Sequence, residues 1–124
     1  MLSLPVTSII AAIAGLMLVI LGMNAGLRRS KTNINLGTDG DEVLLRRVRA
    51  HGNFIEYTPI ALILLALVEI DGTASTQLWI IGGLLLVGRA LHAIGLLFSI
   101  LPARALGMLM TFGSILYSVW LLLF

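Results

Sequence analysis

The chain has no cysteine, which excludes structural disulfides, thiolate zinc sites and a cysteine nucleophile, and leaves the cellular compartment open. Charge is nearly as scarce. Only 11% of the 124 residues are Asp, Glu, Lys or Arg, with a formal net charge of +2. The isoelectric point near 9.7 reflects a small basic excess in one loop, not the basic stripe with stacking aromatics that nucleic acids require. No nucleic-acid partner is expected. Two histidines and six carboxylates show no tight helical ligand spacing, so no protein metal site is expected either.

What is present in quantity is hydrocarbon. Hydrophobic residues make up 59% of the chain and the mean hydropathy is +1.07, against an apolar share of about one half in soluble domains. An integral membrane protein follows. A helix rises about 1.5 Å per residue and the bilayer core is about 30 Å thick, so the length suits four spans in an all-α bundle forming one membrane domain over 1–124. The apolar runs place these spans at about 4–27, 42–70, 76–101 and 103–124. The first run lacks a basic start and is too long for a signal core, which favours a retained span.

Polar residues punctuate the runs. Arg28 to Asp41 is the principal loop, with Gly37-Thr38-Asp39-Gly40-Asp41 as its turn. Asp41 or Thr38 is placed to cap the second helix, with Glu42 in its first turn. Pro59 lies inside that helix and releases the carbonyl of Ile55, predicting a mild kink. Asp71 to Ser75 is a short turn, and Pro102 is expected to end the third span. Gly82, Gly83, Gly88 and Gly95 in span three, and Gly107 and Gly113 in span four, suit close helix approach. Seven of the eight basic residues lie near the loops joining spans one to two and three to four. By the positive-inside rule those loops are cytoplasmic and both termini face away. Trp79 and Trp120 then sit near the far interface.

The most informative stretch is Arg46 to Pro59. On a helix, Glu42, Arg46, Arg49, Asn53 and Glu56 recur at steps of four, three, four and three, sharing one face at the mouth of an apolar segment. Ionisable groups in a membrane cost several kcal/mol unless paired or solvated, so a partner on another helix is expected. Arg89 and His92, one turn apart in span three, are the candidates. A plain ion pair between Glu56 and Arg89 is the simplest alternative. Against it stands the surplus of arginine, since Arg46, Arg49, Arg104 and Arg28 gather at the same mouth. Guanidinium forks bind carboxylates in bidentate fashion, and Glu56 could hold an ammonium, so a small ligand with two carboxylates and one amine would match the set.

The run Arg49-Ala50-His51-Gly52-Asn53-Phe54-Ile55-Glu56-Tyr57-Thr58-Pro59 resembles the second-helix signature of the MAPEG family, the membrane-associated proteins in eicosanoid and glutathione metabolism. The resemblance extends to four spans, the basic end of span one, Gly88-Arg89 followed by His92, and Pro102-Ala103-Arg104. It implies a homotrimer in the lipid bilayer with glutathione bound near the cytoplasmic leaflet, and transfer or peroxidase chemistry on a hydrophobic small molecule. By position, Arg49, Asn53, Glu56, Tyr57, His51, Arg89 and His92 resemble glutathione contacts. Arg28 is similar to an arginine that meets a glutathione carboxylate. Arg104 resembles the catalytic arginine that stabilises the thiolate. Leu96, Ala105 and Met108 stand where many family enzymes carry tyrosine or serine. A small membrane transporter, or a non-catalytic scaffold of the same fold, is the alternative; span one has no acidic residue of the kind small multidrug exporters use.

Overall fold

The computed structural model describes residues 3–124. It consists of four helices, α1 (Pro5–Thr32), α2 (Glu42–Ile70), α3 (Ser75–Leu97) and α4 (Leu101–Leu123), with no strand among the described residues. Each is long and apolar enough to cross a membrane. Short connections force successive helices antiparallel. The start of α1 therefore meets the end of α2, and α3 runs against α4. Among the described residues α1 and α4 do not pack on each other, so α2 and α3 form the central pair.

Helix ends depart from the hydropathy pattern in two places. The first helix continues past 27 to Thr32, because Arg28, Arg29 and Lys31 are good helix formers whose charges suit the helix C-terminus. It closes on Asn33 in the left-handed conformation, φ 56°. The third helix stops at Leu97 instead of 101, turned by Ser99 at φ 58°. Pro102 accordingly does not terminate α3. It occupies the first turn of α4, where a missing N–H costs nothing. Asp41 is the cap of α2, accepting from the Leu44 N–H at 2.7 Å.

Two apolar clusters fill the interior. One, at the end bearing the chain start, joins Val6, Ile10, Leu65, Val68, Leu78, Ile81 and Leu85. The other joins Ala14, Leu21, Ala50, Phe54 and Ala93 beneath the charged mouth. The α3–α4 contact is built differently, from small residues. Gly107, Thr111, Ser114 and Ser118 recur on one buried face of α4. The Ser114 hydroxyl donates to the Ile81 carbonyl across the interface at 3.0 Å, while Thr111 and Ser118 donate back to their own helix. A Cβ on Gly88 would lie 2.9 Å from the Gly107 carbonyl oxygen, and one on Gly95 would overlap the Arg104 backbone. Such close approach is how helices gain dispersion contact in lipid, where burying apolar surface gives no advantage over the acyl chains. Gly83 and Gly113 face open space within the chain.

Glu69 takes a role that its position in the sequence did not suggest. From the end of α2 its carboxylate accepts the Val6 and Thr7 N–H groups at 2.9 and 2.7 Å, capping α1, whose own cap residue Leu4 offers no acceptor side chain.

Candidate functional site

The charged mouth lies where α2, α3 and α4 meet at the end carrying the α1–α2 and α3–α4 connections. A cavity of about 240 Å³ there is lined by Leu45, Arg46, Arg49, Asn53, His92, Leu96 and Arg104. Helical spacing explains the α2 share of the wall: Leu45, Arg46, Arg49 and Asn53 are successive members of one face. His92 comes from α3, and Arg104 from the first turn of α4, brought alongside by the glycine contacts. A neighbouring cavity of about 230 Å³ shares Arg46, Leu96 and Arg104 and opens toward Ser99 and Leu101.

Behind this cavity Arg89 is buried, 1% exposed. Its Nη2 donates to Asn53 Oδ1 at 2.6 Å, and its guanidinium stands 5.9 Å from the centroid of the Tyr57 ring. Tyr57 in turn packs edge-on against Phe112. Nε of Arg89 has no partner. A neutral amide and an aromatic face thus hold the cation where a carboxylate was the simplest expectation.

Glu56 does not pair with Arg89. It sits on the exposed side of α2 and meets Arg49, two turns earlier on the same helix, with Nη1 to Oε1 at 3.4 Å. The reason is angular. Asn53, three residues before Glu56, is the α2 residue that faces α3, and its amide reaches Arg89 first. Both members of the Arg49–Glu56 pair are about half exposed, which makes it a weak surface contact. Arg46 meets Glu42 at 3.6 Å in a similarly exposed pair.

His92 is 2% exposed. Its Nδ1 lies 3.1 Å from the Arg104 carbonyl oxygen, and its Nε2 is buried without a partner. The Arg104 guanidinium makes no ion pair among the described residues. Other candidates lie apart from the cavity. Arg28 forms a bidentate pair with Asp41, at 3.2 and 2.7 Å, that fastens α1 to the start of α2. His51 packs over Gly22 on α1. Tyr57 supports Arg89 and does not line the cavity. Sequence reasoning missed Leu45, and it singled out Met108 only as a departure from the family pattern. Leu45 follows from its place beside Arg46, and Met108, one turn after Arg104, sits with its sulfur 4.0 Å from Arg89 Nη1.

Among the lining residues there is no carboxylate, while three arginines supply fixed positive charge. A wall of this kind can attract an anion. Among the described residues no group of His, Asp and Glu could hold a metal ion.

The sequence model of the MAPEG family matches residues 7–124. The inner membrane protein YecN of Escherichia coli strain K12 is 29% identical over 127 aligned positions, covering 96% of this chain and 97% of that protein. The same protein from Escherichia coli O6:H1 matches equally. No solved structure matches the chain significantly.

Proposed function

The chain belongs to the MAPEG family, and from that premise we propose that it is a glutathione-binding membrane protein, a transferase or peroxidase for hydrophobic electrophiles, with Arg104 as the catalytic residue. The observation that carries this reading is the cavity wall of Arg46, Arg49 and Arg104 with no carboxylate among its residues.

The donor set fits the ligand. Glutathione carries two carboxylates, which guanidinium groups bind through paired N–H donors. Arg46 and Arg49 take that role. Glu56, held by Arg49 through one oxygen only, keeps the other for the ammonium. The Asn53 NH₂ remains available to donate, because its oxygen is already engaged by Arg89. Glutathione supplies the thiol that this cysteine-free chain lacks. Arg104 favours the charged sulfur over the neutral thiol, since an adjacent cation stabilises the thiolate and enlarges its share at neutral pH. The low dielectric of the membrane strengthens that effect. The acceptor molecule reaches the site from the bilayer.

We propose further that the protein is a homotrimer, and that it is set in an inner membrane, the location that the name of its bacterial relative gives for that protein. Arg28, which stands away from the cavity of its own subunit, would then meet glutathione across a subunit boundary.

Calorimetric titration of glutathione into detergent-solubilised protein tests the reading. Saturable binding at millimolar concentration or below is expected, with Arg49→Ala and Glu56→Gln each weakening it by about tenfold, or about 1.4 kcal/mol. Absence of heat up to millimolar glutathione would overturn it. Binding without turnover on any electrophile would reduce it to a non-catalytic glutathione protein, with Leu96 and Ala105 as the places where chemistry was lost.

A further inference from the structure

His92 joins the cavity to α4 through its two unlike nitrogens. Nδ1 lies 3.1 Å from the Arg104 carbonyl oxygen. A carbonyl can only accept, so the bond requires the proton on Nδ1 and leaves Nε2 of the neutral ring as an acceptor. That bond forms where α3 and α4 come closest. Gly88, His92 and Gly95 fall at steps of four and three on α3, and Arg104, Gly107 and Thr111 at steps of three and four on α4, so the two triplets face each other. A Cβ on Gly95 would overlap the Arg104 backbone, and one on Gly107 the His92 backbone.

The Arg104 side chain is exposed and makes no ion pair among the described residues. Its placement is therefore inherited from its backbone. That backbone belongs to the first turn of a helix that begins at Leu101 without a side-chain cap, after a turn through the left-handed Ser99. First turns fray unless something holds them.

We propose that His92 is the positioning residue for Arg104: its Nδ1–H bond to the Arg104 carbonyl pins the first turn of α4 and so holds the guanidinium over the cavity. The role rests on the reading of Arg104 as the thiolate's partner. It differs from a ligand contact, because the atom that does this work is Nδ1, which faces α4, and not Nε2. The charged groups about His92 are Arg89 on its own helix, Arg104 on α4 and Arg49 on α2. Each is an arginine that the substitutions at position 92 leave in place, so a change in the thiol titration on altering His92 reports the placement of charge and not its loss.

Two substitutions separate the nitrogens. His92→Asn retains an N–H donor near the Nδ1 position and loses Nε2. His92→Gln puts its amide near the Nε2 position and loses the bond to α4. In the full-length protein without ligand, hydrogen exchange of the segment 101–107 is expected to quicken at least threefold in His92→Gln and to stay near wild type in His92→Asn. With saturating glutathione, the midpoint of the thiolate absorbance titration is expected to rise by about one unit in His92→Gln, a tenfold loss of thiolate below the midpoint. In His92→Asn it should move by less than about a third of that. The glutathione Kd of His92→Gln should change less than threefold.

Unchanged exchange in His92→Gln, or equal quickening in both variants, would overturn the proposal. So would a raised Kd with an unmoved thiolate midpoint, which would make His92 a ligand contact. Failure of wild-type protein to bind glutathione would sink the functional reading alone, because the exchange measurement needs no ligand.

Discussion

Arg89 is held by Asn53 and the Tyr57 ring and not by Glu56, and this one exchange of partners decides what the site has to offer. With the amide spent on the buried cation, Glu56 meets only Arg49 in an exposed pair, and Arg104 makes no ion pair among the described residues. A second arginine, Arg28, has a structural partner through Nε and Nη2. Its guanidinium, together with the Leu44 N–H, holds the Asp41 carboxyl below the usual carboxylate range. A carboxyl so depressed contributes stability that is complete above its unfolded pKa of about 3.9 and is lost as pH falls through the lower folded value. Hydrogen exchange at the start of α2 should therefore be faster in Asp41→Asn than in wild type at neutral pH. The two should converge only below about pH 4. A gap unchanged at low pH would show that the carboxylate charge is not what fastens the loop. At this scale the sequence was half legible. Residue types and spacing put Arg49, Asn53, His92 and Arg104 together, and the structure lines one cavity with all four. Spacing could not say which of Asn53 and Glu56 meets α3, because they differ by three residues and lie only about 60° apart around the helix, a difference that the crossing of the two helices resolves.

Among the elements, the α3–α4 pair bears most on the site, because it carries His92 to Arg104. Gly95→Ala must push α4 away, since the added carbon meets backbone that cannot rotate aside. It should destabilise the protein by about 1–3 kcal/mol and dull the thiolate signal. Gly83→Ala, with nothing within reach inside the subunit, should be neutral or stabilising by up to about 1 kcal/mol. Thermal unfolding in detergent compares them. Equal losses would mean that the glycine contact is not special, and a loss confined to Gly83→Ala would place a neighbouring subunit on that face. Four helices were readable from the apolar runs, and the value of the glycines from their register. Two ends were not. Hydropathy falls at Arg28 although basic residues prolong a helix well, and it stays high through Phe98-Ser99-Ile100 because a turn at a membrane interface can remain apolar.

For the whole molecule, the distribution of charge sets orientation. The basic connections lie at one end of the bundle with the cavity, and Glu69 and Asp71 at the other. From the positive-inside rule we propose that the cavity end faces the cytoplasm. The absence of cysteine makes this simple to test with single substitutions at exposed positions. A membrane-impermeant maleimide should label Asp71→Cys in intact cells and label Asn35→Cys only after the membrane is opened. The reverse pattern would invert the topology and put the site on the wrong side for cytoplasmic glutathione. The proposed trimer is not legible in the chain at all, since the outward residues, such as Leu16, Ile20, Leu109 and Leu116, would satisfy lipid and a second copy equally well. The central proposal is narrower and lies within one chain, that Arg104 stabilises a thiolate on a bound ligand. Its most direct test is ultraviolet difference absorbance of the thiolate as glutathione is titrated into detergent-solubilised protein at neutral pH, wild type beside Arg104→Ala. A saturable band in wild type that disappears in Arg104→Ala, with glutathione binding weakened but retained, is the expected result. A band that survives the loss of Arg104, or a flat wild-type trace despite calorimetric binding, would contradict it.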